Sequence, residues 1–180
     1  MELFAKGKRA FIYKEKNNII KVERPDATAV NRIHNEAEWL TILNKYHIGP
    51  KIIKLEHNKL SMEYIPGPNL EEYLSKATKK EKIRMLTQLL DQARTLDVLH
   101  VNKMEMHRVT KNAIVKKKKL ILLDFERCKR SPSPKNVTQA CQFINKYLPL
   151  PQLLAKAKAY KQTFSEKDYK VLRKCLTNTL

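Results

Sequence analysis

The sequence predicts an α+β fold of two lobes, with a small N-terminal sheet lobe carrying one helix and a short helical C-terminal lobe. Three observations predict it. β-rich runs crowd the first 66 residues, long segments of helical period fill the rest, and a single apolar hairpin pattern at residues 112–125 interrupts those helices. Strands first and helices after, in one chain, is the α+β arrangement. The lobes divide as residues 1–66 and 67–180, with the hairpin segment 104–128 assigned to the second.

Each element has its own signal. "AFIYKE" and "NNIIKVER" are β-rich and flank the turn signal "KNN". "DATAVNRIHNEAEWLTILNKY" reads as a helix, with Asp26 as its cap and Ile33, Ala37 and Leu40 at helical spacing. Gly49 and Pro50 stop it. "KIIKLEHNKLSMEYI" reads as a hairpin turning at "EHN". Asn69 is placed to cap "LEEYLSKA", and "KKEKIRMLTQLLDQARTLDVLH" is a long amphipathic helix. Beyond the Pro/Ser loop "KRSPSPKN", two or three helices are expected.

Composition narrows the class. The 180 residues suit one domain with a small lobe attached, and 42% hydrophobic residues exclude wholesale disorder. Three widely spaced cysteines with no CxxC pair exclude a structural zinc site and fit a reducing compartment. The start "MELFAKGKRAF" lacks an apolar signal-peptide core, and no apolar run nears the roughly 20 residues of a membrane span. A cytoplasmic protein without a membrane partner is the expectation. The net charge of +19 draws polyanions: nucleotide phosphates, nucleic acid such as RNA, or an acidic protein. A generally lysine-rich surface is the plainer explanation.

Phosphoryl transfer needs a cation on the phosphates, metal ligands, a positioned acceptor and a hinge for the base. The chain offers each in order. Lys21 ends the strand "NNIIK" and Glu36 lies on the following helix, where it can hold the ammonium. Glu38 competes, but sits about 200° around the helix, so only one of the two faces Lys21. Two solvated charges are the ordinary reading of such a pair. At "LSMEYIPG", Glu63 C=O and Ile65 N–H could hold an adenine with Met62 behind it, although an ordinary strand exit reads the same. Asp124 follows "KLILL", and Asn112 precedes "AIV". Pairing the two strands across "KKKK" brings both oxygen donors to one end, as Mg²⁺ ligands, unless Asp124 merely caps a turn. Gly7, beside Lys8 and Arg9, could cover phosphates or form a plain hairpin turn.

The segments "KGKRAFIYK", "IIKVER", "RIHNEAEWLTILNKYHIGPKI", "LSMEYIPGPNL", "KMEMHRVTKNAIV" and "LILLDFERC" together resemble the small archaeal predicted Ser/Thr protein kinases of the lipopolysaccharide-, RIO- and KEOPS-kinase side of the protein kinase-like superfamily. The resemblance covers residues 3–128. It implies a minimal kinase-like fold binding ATP and Mg²⁺ between the lobes, and gives Lys21, Glu36, Asn112 and Asp124 their kinase roles.

The departures fall where the chemistry would occur. His107, five before Asn112, stands where a kinase keeps its catalytic Asp, and Glu126 replaces the Gly after Asp-Phe. The family pattern Glu-hydrophobic-x-Arg-Pro-x-Lys is matched by residues 105–111 with Val109 for Pro. The resemblance therefore implies Glu105 as catalytic carboxylate and Lys111 as the γ-phosphate cation. His107 is then a structural loop residue, or else the base itself. Ser131 and Ser133 lie in a basic, Pro-flanked loop that is open to phosphorylation or simply solvated. The rival classes are a pseudokinase scaffold, favoured by His107 and the single glycine, and a basic RNA-binding module. The absence of aromatic-rich RNA motifs argues against the latter as the whole function.

Overall fold

A computed structural model describes residues 1–7, 9–26 and 31–179. They fall into two compact units, Met1–Pro66 with Ile121–Cys128, and Gly67–Leu120 with Lys129–Leu180. Residues 121–128 thus group with the N-terminal unit.

The first unit is a five-stranded antiparallel sheet and one helix. Its strands are β1 (Glu2–Lys6), β2 (Ala10–Glu15), β3 (Asn18–Glu23), β4 (Ile52–Glu56) and β5 (Lys59–Glu63), in the order β1-β2-β3-β5-β4. Helix α1 (Arg32–Leu43) packs on β3, β4 and β5. Its inward stripe is Ile33, Glu36, Ala37, Leu40 and Leu43, at i, i+3, i+4, i+7 and i+10. Glu36, 1% exposed, is the one charged member of that stripe.

The helix starts later than its sequence pattern suggests. Residues 27–30 of that pattern lie outside the described residues. Asn31, at φ 64°, stands at the N-cap position and makes no side-chain cap. Asp26 pairs instead with Arg24, at 2.8 Å to Nε. The amide of Arg32 donates to Glu23 Oε1 on β3, 3.1 Å away. Capping from a neighbouring strand carries no local signature, so Asp26 was the wrong cap.

Gly49 has to be glycine. It holds φ +80°, and a Cβ there would stand 2.6 Å from Leu40 Cδ2 and 2.9 Å from Phe125 Cε2. Asn44 pins the same loop: its Nδ2 donates to Ile48 and Pro50 carbonyls, and its Oδ1 accepts from Ile52 N–H at 2.9 Å.

The second unit is helical. It contains α2 (Leu70–Lys76), α3 (Lys79–Val98), α4 (Asn136–Tyr147), α5 (Leu153–Thr163) and α6 (Glu166–Thr177). β6 (Val101–Asn102) pairs with β9 (Lys129–Arg130), and a 3₁₀ segment kinked at Arg108 (φ −130°) spans Met106–Asn112. β7 (Ala113–Lys116) pairs with β8 (Lys119–Leu122), within which the chain leaves this unit. Asn69 caps α2 as expected, accepting from Glu72 N–H at 2.9 Å. Thr78 and Glu81 form a full capping box on α3. Three helices follow the Pro/Ser loop. Helix α4 packs on α3, on α5 and on the 3₁₀ segment, and α6 closes the unit against α3 and α5. Among the described residues, no helix is long and apolar enough to cross a membrane.

Candidate functional site

In the first unit, β3 places Lys21 opposite Ile12 of β2 and Leu60 of β5. Its ammonium meets both oxygens of Glu36, at 2.8 and 2.7 Å. Glu38 is exposed, so the helical geometry resolves the competition in favour of Glu36. The pair is largely removed from water, with side chains 17% and 2% exposed. Burial alone would lower the Lys21 pKa. The carboxylate of Glu36, and next Asp124, outweigh it, and the pKa is raised above that of an ordinary lysine. Lys21 therefore stays cationic.

Helix α1 also fixes the chain that follows Asp124. Glu36 Oε1 accepts the Phe125 N–H at 3.2 Å. Asn35 Nδ2 donates to the carbonyls of Glu126 and Cys128, at 2.8 and 3.1 Å. Trp39 Nε1 donates to the Cys128 carbonyl at 2.9 Å. Asp124 lies two residues beyond β8, at φ 61°, a left-handed conformation that a non-glycine residue holds only when its surroundings fix it. Sequence reading put Asp124 at a strand tip, and it missed Asn35 and Trp39. Their only mark is a position one residue before, and three after, Glu36.

Glu126, two residues after Asp124, is paired. Its carboxylate accepts from Arg9 Nη1 at 2.7 Å, tying the β1–β2 turn to the residues after Asp124. Burial and then the nearby Asp124 push its pKa up, and Arg9 partly offsets them. The turn is tight: Gly7 N–H donates to the Ala10 carbonyl at 2.9 Å, and a Cβ on Gly7 would stand 3.0 Å from that oxygen. Lys8 lies outside the described residues. At the candidate hinge, Met62 and Ile65 are buried, at 4% and 5% exposure. The Glu63 N–H donates to Lys51 C=O and the Tyr64 N–H to Asn17 C=O, both at 2.8 Å.

The remaining predicted residues belong to the second unit. Glu105 is exposed at φ 56°, directly after Met104 at φ 68°. His107 and Asn112 are half-buried and Lys111 is exposed along the 3₁₀ segment. The lysine tetrad forms the β7–β8 turn, with Lys117 and Lys118 at φ 48° and 63°. Those are type I′ positions, which usually hold Asn-Gly. Gln88 of α3 braces the turn, donating to Lys118 C=O at 3.1 Å and accepting from Leu120 N–H at 2.9 Å. Lys79, Lys80, Lys82 and Arg84 lie on the same N-terminal half of α3. A cavity of about 520 Å³ between α2 and the start of α3 is lined by Gly67, Pro68, Glu72, Tyr73, Lys76, Ala77 and Glu81, and includes none of the predicted site residues.

Asp124 and Asn112 each carry a hard oxygen of the kind magnesium takes, Asp124 in the first unit and Asn112 in the second. Among the described residues, no group of three or more His, Cys, Asp or Glu could hold a metal ion.

No known sequence family matches the chain, and no curated protein does. Solved structures do. A medium-resolution structure of the bifunctional kinase-methyltransferase WbdD superposes with a TM-score of 0.70 at 19% identity, over 94% of this chain and 43% of that one. A low-resolution WbdD structure, with its C-terminal bundle ordered to residue 505, gives 0.64 at 17%, over 94% and 42%. The chain thus has a kinase-like fold and spans less than half the length of these proteins.

Proposed function

We propose that this chain is an atypical Ser/Thr protein kinase-like phosphotransferase or ATPase of the RIO- and KEOPS-like kind, using ATP and Mg²⁺. The observation that carries the reading is the buried Lys21–Glu36 pair on a kinase-like fold, with Asp124 close enough to Lys21 to raise its pKa. One of the similar structures is itself described as a kinase-methyltransferase. Lys21 takes the α- and β-phosphates, held in place by Glu36. Met62, the Glu63 carbonyl and the Ile65 amide receive the base, and the Gly7 turn covers the phosphates. Asp124 and Asn112 hold the metal, which when bound supplies positive charge to the phosphate oxygens. Lys111 meets the γ-phosphate, and Glu105 accepts the proton of the attacking hydroxyl or water.

The test is transfer or release of the labelled γ-phosphate of ATP with Mg²⁺ or Mn²⁺. Asp124→Ala is expected to abolish Mg²⁺-dependent ATP binding. Glu105→Gln keeps shape but cannot take a proton; it should spare ATP binding and lower the rate by roughly 10² or more. His107→Ala should turn over nearly as wild type. Normal turnover in Glu105→Gln with a dead His107→Ala would make His107 the base. A wild type that never exceeds the Asp124→Ala background would leave a pseudokinase scaffold.

The braced lysine turn and the net charge of +19 support a second proposal, that this surface binds RNA. Affinity for a single-stranded RNA oligomer should fall steeply between dilute and physiological salt, because released counterions drive such binding. A flat salt response would refute it. Retention of an acidic peptide with no RNA binding would assign the surface to a protein.

A further inference from the structure

We propose that α4 clamps the loop carrying Glu105, with Asn136 and Gln139 holding its backbone on either side, and that Gln139 is a positioning residue for phosphoryl transfer. The second half of this rests on Glu105 being the base.

The loop is bent without glycine. Met104 and Glu105 are both left-handed, a conformation that the Cβ of an L-residue disfavours. Two such residues in succession persist only where the surroundings over-determine them. Here the surroundings are one face of α4. Asn136 Oδ1 accepts the Lys103 N–H at 2.9 Å, and Gln139 Oε1 accepts the Met106 N–H at 3.0 Å. These two amides bracket the bend. Asn136 and Gln139 are three apart on the helix, so their side chains project from the same side. Asn136 also donates to the Val101 carbonyl at 2.6 Å, and the Lys135 N–H donates to Asn102 Oδ1 at 3.3 Å.

The two clamp residues differ in what surrounds them. Asn136 is fully buried and is held in turn by Asp97, so its loss would disturb the fold at large. Gln139 is half-buried, and the bond it makes is to the peptide immediately after Glu105. Its loss frees that peptide while leaving the helix packing in place. A carboxylate serving as base must be held within a fraction of an ångström, and a shift of about 1 Å can cost as much as 10² in rate. The clamp supplies that constraint from a rigid helix rather than from the loop itself.

Gln139→Leu removes the acceptor at similar volume, and Gln139→Glu restores one. In Gln139→Leu, exchange of the Met106 amide should quicken, kcat should fall roughly tenfold or more, and the ATP KM should stay within about twofold. In Gln139→Glu the exchange should return to the wild-type rate and kcat should recover. A purely structural Gln139 would leave kcat unchanged at fixed KM. Unchanged Met106 exchange in Gln139→Leu overturns the clamp, and faster exchange with unchanged kcat overturns the positioning role. A wild type without turnover overturns the phosphotransfer reading instead, and the clamp is then decided on the exchange alone.

Discussion

Replacing Glu36 by Ala is expected to destabilise the protein by about 3–5 kcal/mol, the usual cost of removing one partner from a buried ion pair. The variant strands the Lys21 ammonium, whose side chain is 17% exposed, and takes the acceptor from the Phe125 N–H. Glu36→Gln keeps an oxygen for Phe125 but not the charge, so it should fall between Ala and wild type. Urea unfolding reads this directly, as a lower midpoint at unchanged slope. The ion pair also carries a pH signature. Because the folded-state pKa of Lys21 is raised above the ordinary 10.5, its contribution to stability is fully present below that value. It is lost as pH climbs through the raised folded pKa. Both Glu36 variants should lack this alkaline loss. A Glu36→Ala midpoint matching that of wild type would mean that the pair does not hold residues 125–128 in place.

How much of this was legible follows from the range over which each signal acts. The strands β2 to β5, β7 and β8, the hairpin at His57-Asn58, the Asn69 cap and the α3 helix are set by neighbours in sequence, and periodicity or turn chemistry finds them, whereas the short pair β6 and β9 lies in stretches read as loop. The choice of Glu36 over Glu38 was legible for the same reason: about 200° of helix separates them, and the inward stripe contains only one. What failed was remote. The first amide of α1 is capped by Glu23 from β3, so a nearby Asp26 made a plausible but wrong cap. Arg9 and Glu126, 117 residues apart, show no relation in the sequence. One of the two departures, Glu126 for Gly, has a partner that only the structure shows. Gln139 went unnoticed because a half-exposed Gln on an amphipathic helix resembles any surface Gln. Only the left-handed run at Met104-Glu105, which the sequence does not display, makes its bond to Met106 informative.

The other large effect is expected at Asp97. It is 3% exposed and accepts four hydrogen bonds: from the Asn136 N–H and Nδ2 at 3.1 and 2.8 Å, the Val137 N–H at 3.3 Å and the Tyr160 hydroxyl at 3.1 Å. Lys135 occupies the N-cap position of α4 without a side-chain cap, so this carboxylate, reaching from α3, takes the first amides of α4 and complements its dipole. Asp97→Ala leaves those donors buried without an acceptor and should cost about 3–5 kcal/mol. Asp97→Asn keeps the volume and one acceptor, and should cost about 1–3 kcal/mol. Burial raises the Asp97 pKa, and the bonds from Asn136, Val137 and Tyr160 only partly offset it. The folded state therefore binds the proton more tightly than the unfolded chain. Wild-type stability should fall, relative to Asp97→Asn, as pH rises from the ordinary 3.8 through the raised folded value. Urea midpoints of the two proteins should converge over that interval. If they diverge instead, the four hydrogen bonds outweigh burial and the carboxyl titrates below its ordinary value. Asp97 would then hold Asn136, and through it the loop of Glu105, more firmly at neutral pH than in acid.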